Sequence, residues 1–277
     1  MKMKVLDAPF LKAYVDMADH GDQLGWHERN GGNFTYWLTK EEAESIQENL
    51  SYEDPWKDIG TEVPYLANEY FLISGTGRYF HNMKKDPANT AGIIQLDEVG
   101  KRYRICWGLT ENGRPTSELP THLMNMEVKA RMTNNQNRVI YHCHCPNIIA
   151  LTFILPLKSE IFTRELWEMM TECPIIFPQG LGVVEWMVPG GREIAIVTSK
   201  LMEQYDAIIW AHHGMFVSGM DFDSTFGLMH TIEKSAEMWI KVHSCVSKKQ
   251  QTISVEGFKE LAKAFNVSLD ERFLYEK

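Results

Sequence analysis

Several things are scarce in this chain, and each scarcity excludes something. There are only five cysteines (Cys106, Cys143, Cys145, Cys173 and Cys245), an odd number without framework spacing, so a disulfide-stapled scaffold is excluded. Reduced thiols in a cytoplasmic protein are expected. Basic residues are outnumbered, 28 Lys and Arg against 37 Asp and Glu, and the net charge of −9 argues against a general nucleic-acid or membrane-surface binder. A small phosphorylated substrate stays open, because a few local groups can hold it. Long apolar runs are missing too. The 19 residues from Val139 to Leu157 lack Lys, Arg, Asp and Glu, yet they carry two His, one Asn and two Pro, which rules out a span. At the start, Asp7 and Pro9 interrupt any apolar region, so no signal peptide is expected. Neither a Walker Gly-Lys-Ser/Thr nor a full dinucleotide fingerprint occurs. No repeat, low-complexity tract or dividing linker breaks the 277 residues, which are 44% hydrophobic. One domain is expected over 1–277, its first 70 or so residues a helical and loop part that could move as a subdomain.

What the chain does have is histidine in a telling place. Asn134-Asn135-Gln136-Asn137 reads as a turn, and Arg138-Val139-Ile140-Tyr141-His142-Cys143-His144 reads as a strand rich in β-branched and aromatic residues. Alternate side chains share a face, so His142 and His144 point the same way. Two imidazoles on stiff backbone can grip one metal ion, and a catalytic zinc site usually needs a third protein ligand. Asp206 to Ala211 reads as a buried strand ending in His212-His213-Gly214, which supplies that third histidine; spacing does not choose between His212 and His213.

Other elements frame this pair. Pro9 opens a helix with Phe10, Leu11, Tyr14, Val15 and Ala18 on one face. Asn30-Gly31-Gly32-Asn33 reads first as a hairpin turn before a strand from Phe34 to Leu38. Thr39 and Glu42 have capping-box spacing for a helix over 40–50. The strand Tyr70 to Ile73 runs into Ser74-Gly75-Thr76-Gly77, a turn able to aim N–H groups at an anion. Ile93 to Asp97 and Tyr103 to Trp107 read as a hairpin. Ser117 reads as the N-cap of a helix running to about Met132, with Glu118 on its first turn. Glu172 precedes a short predicted strand, Pro174 to Phe177, and a long helix is predicted from about Asp223 to Ser247. Interspersed strands and helices predict an α/β domain with much antiparallel pairing.

In order, Asn30-Gly31-Gly32-Asn33, Ser74-Gly75-Thr76-Gly77, Thr116-Ser117-Glu118, His142-Cys143-His144 and His213-Gly214 resemble the motifs of the class II aldolase/adducin family. The resemblance implies a three-layer α/β/α sandwich around a mostly antiparallel sheet, and C4 homotetramers with sites at subunit boundaries. It implies one Zn2+ per subunit on His142, His144 and His213, the family using the histidine just before the glycine. It implies Glu118 as acid/base, and Asn30, Asn33, Thr76, Gly77, Thr116 and Ser117 around the substrate phosphate. Thr76 stands where the nearest branch has Ser, and the hydroxyl is kept. Glu172 resembles a carboxylate that reaches a neighbouring subunit's site. Glu28-Arg29 before the first loop, Trp107-Gly108-Leu109-Thr110, Thr171-Glu172-Cys173 and Trp186-Met187-Val188-Pro189-Gly190 narrow the resemblance to the branch that cleaves L-rhamnulose 1-phosphate to dihydroxyacetone phosphate and L-lactaldehyde. No Lys lies in the strands read as buried, which favours the metal route over a Schiff base. The alternatives are a pentose-phosphate 4-epimerase of the same family, a zinc hydrolase with Glu118 activating a water, and a non-catalytic scaffold like the adducin head.

Overall fold

A computed structural model describes residues 2–275. In chain order the elements are α1 (Pro9–Gln23), β1 (Asn33–Trp37), α2 (Lys40–Ile46), β2 (Lys57–Asp58), β3 (Tyr70–Ser74), α3 (Pro87–Thr90), β4 (Ala91–Leu96), β5 (Arg102–Gly108), α4 (Leu119–Met132) and β6 (Val139–Cys143). There follow α5 (Pro146–Leu151), α6 (Ser159–Trp167), α7 (Cys173–Ile176), β7 (Gly182–Val184), α8 (Arg192–Met202), β8 (Ala207–Trp210), β9 (Gly214–Gly219), α9 (Phe222–Cys245) and α10 (Val255–Phe265).

Among the described residues all nine strands form one sheet, in the order β2-β5-β4-β3-β1-β6-β9-β8-β7. Every neighbouring pair is antiparallel except β7–β8. A parallel pair needs a long crossover, and α8 provides it. The centre of the sheet is β1, β6 and β9, with Asn33 opposite His142 and His142 opposite Phe216. Strand alternation then sorts the side chains. Tyr141 and Phe34 face α1 and α9, where Phe34 stacks on Tyr14 at 4.0 Å and meets Phe222 edge-on. His142 and Phe216 face the other way, where Phe216 meets His122 of α4. One layer is built on α9, which packs on β6 and β9 with α1, α5, α6 and α7 around it; the other is α4 packed on α8. Helices on both faces of a mostly antiparallel sheet are the expected architecture.

Local chemistry explains most boundaries. The Thr39 side chain accepts from Glu42 N–H and the Glu42 carboxylate accepts from Thr39 N–H, a complete capping box for α2. Ser254 caps α10 through Gly257 N–H. Three expectations need correction. Asn30–Asn33 is not a hairpin turn: it links α1 to β1, whose partners β3 and β6 lie far along the chain. Pro174 to Phe177 is not a strand: N–H groups of Ile175 and Ile176 donate to Glu172 O, and Phe177 N–H to Cys173 O, closing a helical turn. Its backbone bonds are met locally, so no sheet edge is needed. The N-cap position of α4 is Glu118, not Ser117, because Thr116 Oγ1 accepts from Glu118 N–H and turns the chain one residue later. Among the described residues no helix is long and apolar enough to cross a membrane.

Candidate active site and metal centre

The ends of β6 and β8, with the loops beside them, enclose a cavity of about 210 Å³. His142, His144, His213, Glu118, Asn30, Asn33, Thr76, Gly77, Thr116 and Ser117 all line it. Glu172, exposed at the start of α7, does not.

The three histidines converge because each rides on the sheet end. His142 is on β6 and His144 lies one residue beyond it, their rings 5.2 Å apart. His213 enters from the β8–β9 turn, 5.0 Å from His142 and 4.9 Å from His144 between ring centres. One ligand atom from each lies within 4.8 Å of the others. The turn settles the choice that spacing left open. His212 takes a left-handed conformation (φ 61°) and its Nδ1 meets Thr152 Oγ1 at 3.0 Å, so it points away while His213 faces the cavity.

Hydrogen bonds fix which nitrogens face inward. His142 Nδ1–H donates to the Met215 carbonyl at 3.1 Å, leaving Nε2 as a bare lone pair. That Nε2 is buried without a partner among the described residues, a costly state unless something binds there. His144 Nδ1–H donates to Glu28 Oε1 at 2.6 Å. Such outer partners orient metal-ligating imidazoles and raise their basicity. Burial holds the His142 ring well below the ordinary imidazole range, and His213 and His144 push it further. Burial, then His144, lowers His213 to about 4. Both rings are therefore neutral near pH 7, with lone pairs free for a cation. Three converging imidazoles and an adjacent carboxylate form a donor set suited to a catalytic metal with an open position.

Glu118 sits against this cluster, Oε2 3.8 Å from His142 Nε2. Burial raises its carboxyl above the ordinary carboxylate range, and a hydrogen bond from Asn33 and the charge of His144 pull it partly back. A raised carboxyl is a stronger base, suited to taking a proton from carbon. Asn33 Nδ2–H donates to Glu118 Oε2 at 2.7 Å. Thus Asn33 and Thr116, both expected at the phosphate, also hold Glu118 in place; each NH2 has a second hydrogen and each hydroxyl further capacity for a ligand.

The opposite wall is loop. Gly75-Thr76-Gly77 forms a tight turn with Gly77 at φ 68°, closed by Arg78 N–H to Gly75 O. Gly31 comes so close to the metal cluster that an added Cβ would lie 2.7 Å from His144 Nδ1 and 2.9 Å from Glu28 Oε1. Pro189 and Gly190 complete the lining. Sequence reasoning gave no role to Glu28 or His122. Glu28 is 116 residues from the histidine it orients, so no spacing could have paired them.

A sequence profile described as Class II Aldolase and Adducin N-terminal domain matches residues 12–240. The chain belongs to the class II aldolase and adducin family. Among its relatives, a rhamnulose-1-phosphate aldolase of Mannheimia succiniciproducens is 45% identical over 244 residues, 88% of this chain and 89% of the relative. One of Pectobacterium atrosepticum is 44% identical over 264 residues, 95% of this chain and 96% of the relative. The crystal structure of a sugar-phosphate aldolase from Thermotoga maritima superposes with a TM-score of 0.74 at 27% identity, covering 87% of this chain and 98% of that one.

Proposed function

We propose that the protein is a zinc-dependent lyase, an aldolase of a single domain that cleaves L-rhamnulose 1-phosphate reversibly to dihydroxyacetone phosphate and L-lactaldehyde in cytoplasmic L-rhamnose degradation. One observation carries the reading: three converging histidines and a buried carboxylate of raised basicity meet in one cavity, in a chain over 40% identical to rhamnulose-1-phosphate aldolases. His142, His144 and His213 hold one zinc ion per subunit. When bound, zinc would supply a Lewis acid that stabilises negative charge developing on the substrate.

The chain's own groups do the rest. Glu118 removes the C3 proton in synthesis and returns it after cleavage. Asn30, Asn33, Thr76, Gly77, Thr116 and Ser117 hold the phosphate, using binding energy far from the reacting carbon to orient it. Glu172 serves the aldehyde end of a neighbour's site in a C4 homotetramer; its place outside its own cavity is compatible with that role. There it takes the proton off the C4 hydroxyl in cleavage and returns it to that oxygen, now the aldehyde's, in synthesis, tasks for which Glu118, aimed at C3, is poorly placed.

The test is a coupled assay for dihydroxyacetone phosphate release from L-rhamnulose 1-phosphate, with and without a chelator. Release that the chelator abolishes and zinc restores is expected; release indifferent to metal removal would end the zinc reading. For Glu172, inactive Glu172→Ala and His142→Ala subunits reassembled together should regain activity. No recovery in confirmed tetramers would return Glu172 to the surface.

A further inference from the structure

Glu118 is the first member of a buried chain. Its Oε2 accepts from Asn33 Nδ2, and the Oδ1 end of the same amide meets Nε2 of His122. His122 lies one turn along α4, wholly buried, and its backbone N–H donates to the Glu118 carbonyl at 3.0 Å. The polarity of this chain follows from chemistry. An ionised carboxylate only accepts, so the Asn33 group facing it is the NH2. The group facing His122 is then the carbonyl oxygen, and His122 Nε2 must carry a hydrogen. Burial lowers this imidazole to about 3, so at neutral pH the ring has one hydrogen only. With that hydrogen on Nε2, Nδ1 is bare, and it has no partner among the described residues. Burying an imidazole with one nitrogen unmet costs stability that a leucine in the same place would avoid. Packing against the Phe216 edge does not need an imidazole. The directional donation to Asn33 does.

We infer that His122 is a positioning residue which locks the Asn33 amide with its NH2 towards Glu118, committing Oε2 as an acceptor and leaving Oε1 as the oxygen that takes and returns the substrate proton. The inference rests on the reading of Glu118 as acid/base. Without the donor, the amide can turn over and present its carbonyl oxygen to the carboxylate, two acceptors face to face. Glu118 then loses its fixed orientation and Asn33 its part at the phosphate, while the metal ligands and the other phosphate residues keep theirs.

The experiment is exchange of the C3 proton of dihydroxyacetone phosphate with deuterated solvent, followed by NMR on zinc-loaded enzyme. In His122→Leu, exchange should slow by roughly 10–100-fold, the range for losing an outer-shell partner, while zinc content stays near wild type and the KM for phosphorylated substrate rises by less than the exchange rate falls. His122→Gln keeps an N–H donor and should recover most of the rate. Wild-type exchange in His122→Leu, beside slow exchange in Glu118→Gln, would overturn the positioning role alone. Losses shared equally by zinc content and KM, or no recovery in His122→Gln, would make His122 merely structural. Wild-type exchange in Glu118→Gln would remove the acid/base reading itself. Imidazole nitrogen NMR of the wild-type protein needs no variant to fold: it should show the Nε2–H tautomer, and an Nδ1–H tautomer would refute the lock.

Discussion

The two walls of the cavity are made on different plans. On the metal wall the three histidines stand on or beside a sheet end, and three of its side chains are aimed by a second group: His142 by the Met215 carbonyl, His144 by Glu28, Glu118 by Asn33. On the wall proposed for the phosphate, the anion wall, Asn30, Thr76, Gly77 and Ser117 are exposed residues of connecting loops. A cation held by lone pairs needs them to converge within a few ångströms, and only fixed backbone gives that. A phosphate spreads its charge over several oxygens and takes donors from many directions, so short loops serve. The lesson is that one wall depends on orientation and the other on the number of donors.

That contrast can be broken by substitution, beginning where the effect is largest. His213→Ala should lose bound metal and activity together, to background, while His212→Ala keeps both; metal analysis beside the cleavage assay decides. Full metal occupancy in His213→Ala would mean the metal wall is not what we describe. Next, Glu28→Gln keeps the shape but weakens the bond that orients His144, and roughly 10–100-fold weaker metal binding is expected in a chelator titration. An unchanged titration would show that His144 needs no aiming. Smallest is the anion wall. Ser117→Ala and Asn30→Ala should each raise KM by what one hydrogen bond to a charged group contributes, about 1.5–3 kcal/mol, with zinc content unchanged. Unphosphorylated L-rhamnulose should feel no such loss, and an equal loss would move the anion site elsewhere.

Legibility in the sequence followed the same division. Strand alternation alone aligned His142 with His144, and the strand read over Asp206 to Ala211 brought in a third histidine. The capping box at Thr39 and Glu42 and the β4–β5 hairpin were equally plain, since both are local. Choosing His213 over His212 needed either resemblance or the φ of one residue. Pro174 to Phe177 misled because four apolar residues fit a strand or a helical turn equally well, and what distinguishes them is that its N–H groups find carbonyls within the same turn. The ties from Glu28 to His144 and from His122 to Asn33 join residues 116 and 89 apart. Such bonds leave no periodicity to read.

The sheet order has a kinetic consequence. Because β1 is seated between β3 and β6, and β9 beside β6, the cavity takes residues from Asn30 to His213 and no contiguous segment forms it alone. Closing loops of that length comes late in folding. A metal on the three histidines would therefore meet its full ligand set only in an assembled sheet: it would raise the equilibrium stability by mass action without hastening the search. Bound metal, counted per chain, thus becomes an assay of folding, a tally of the molecules whose central strands have found their register.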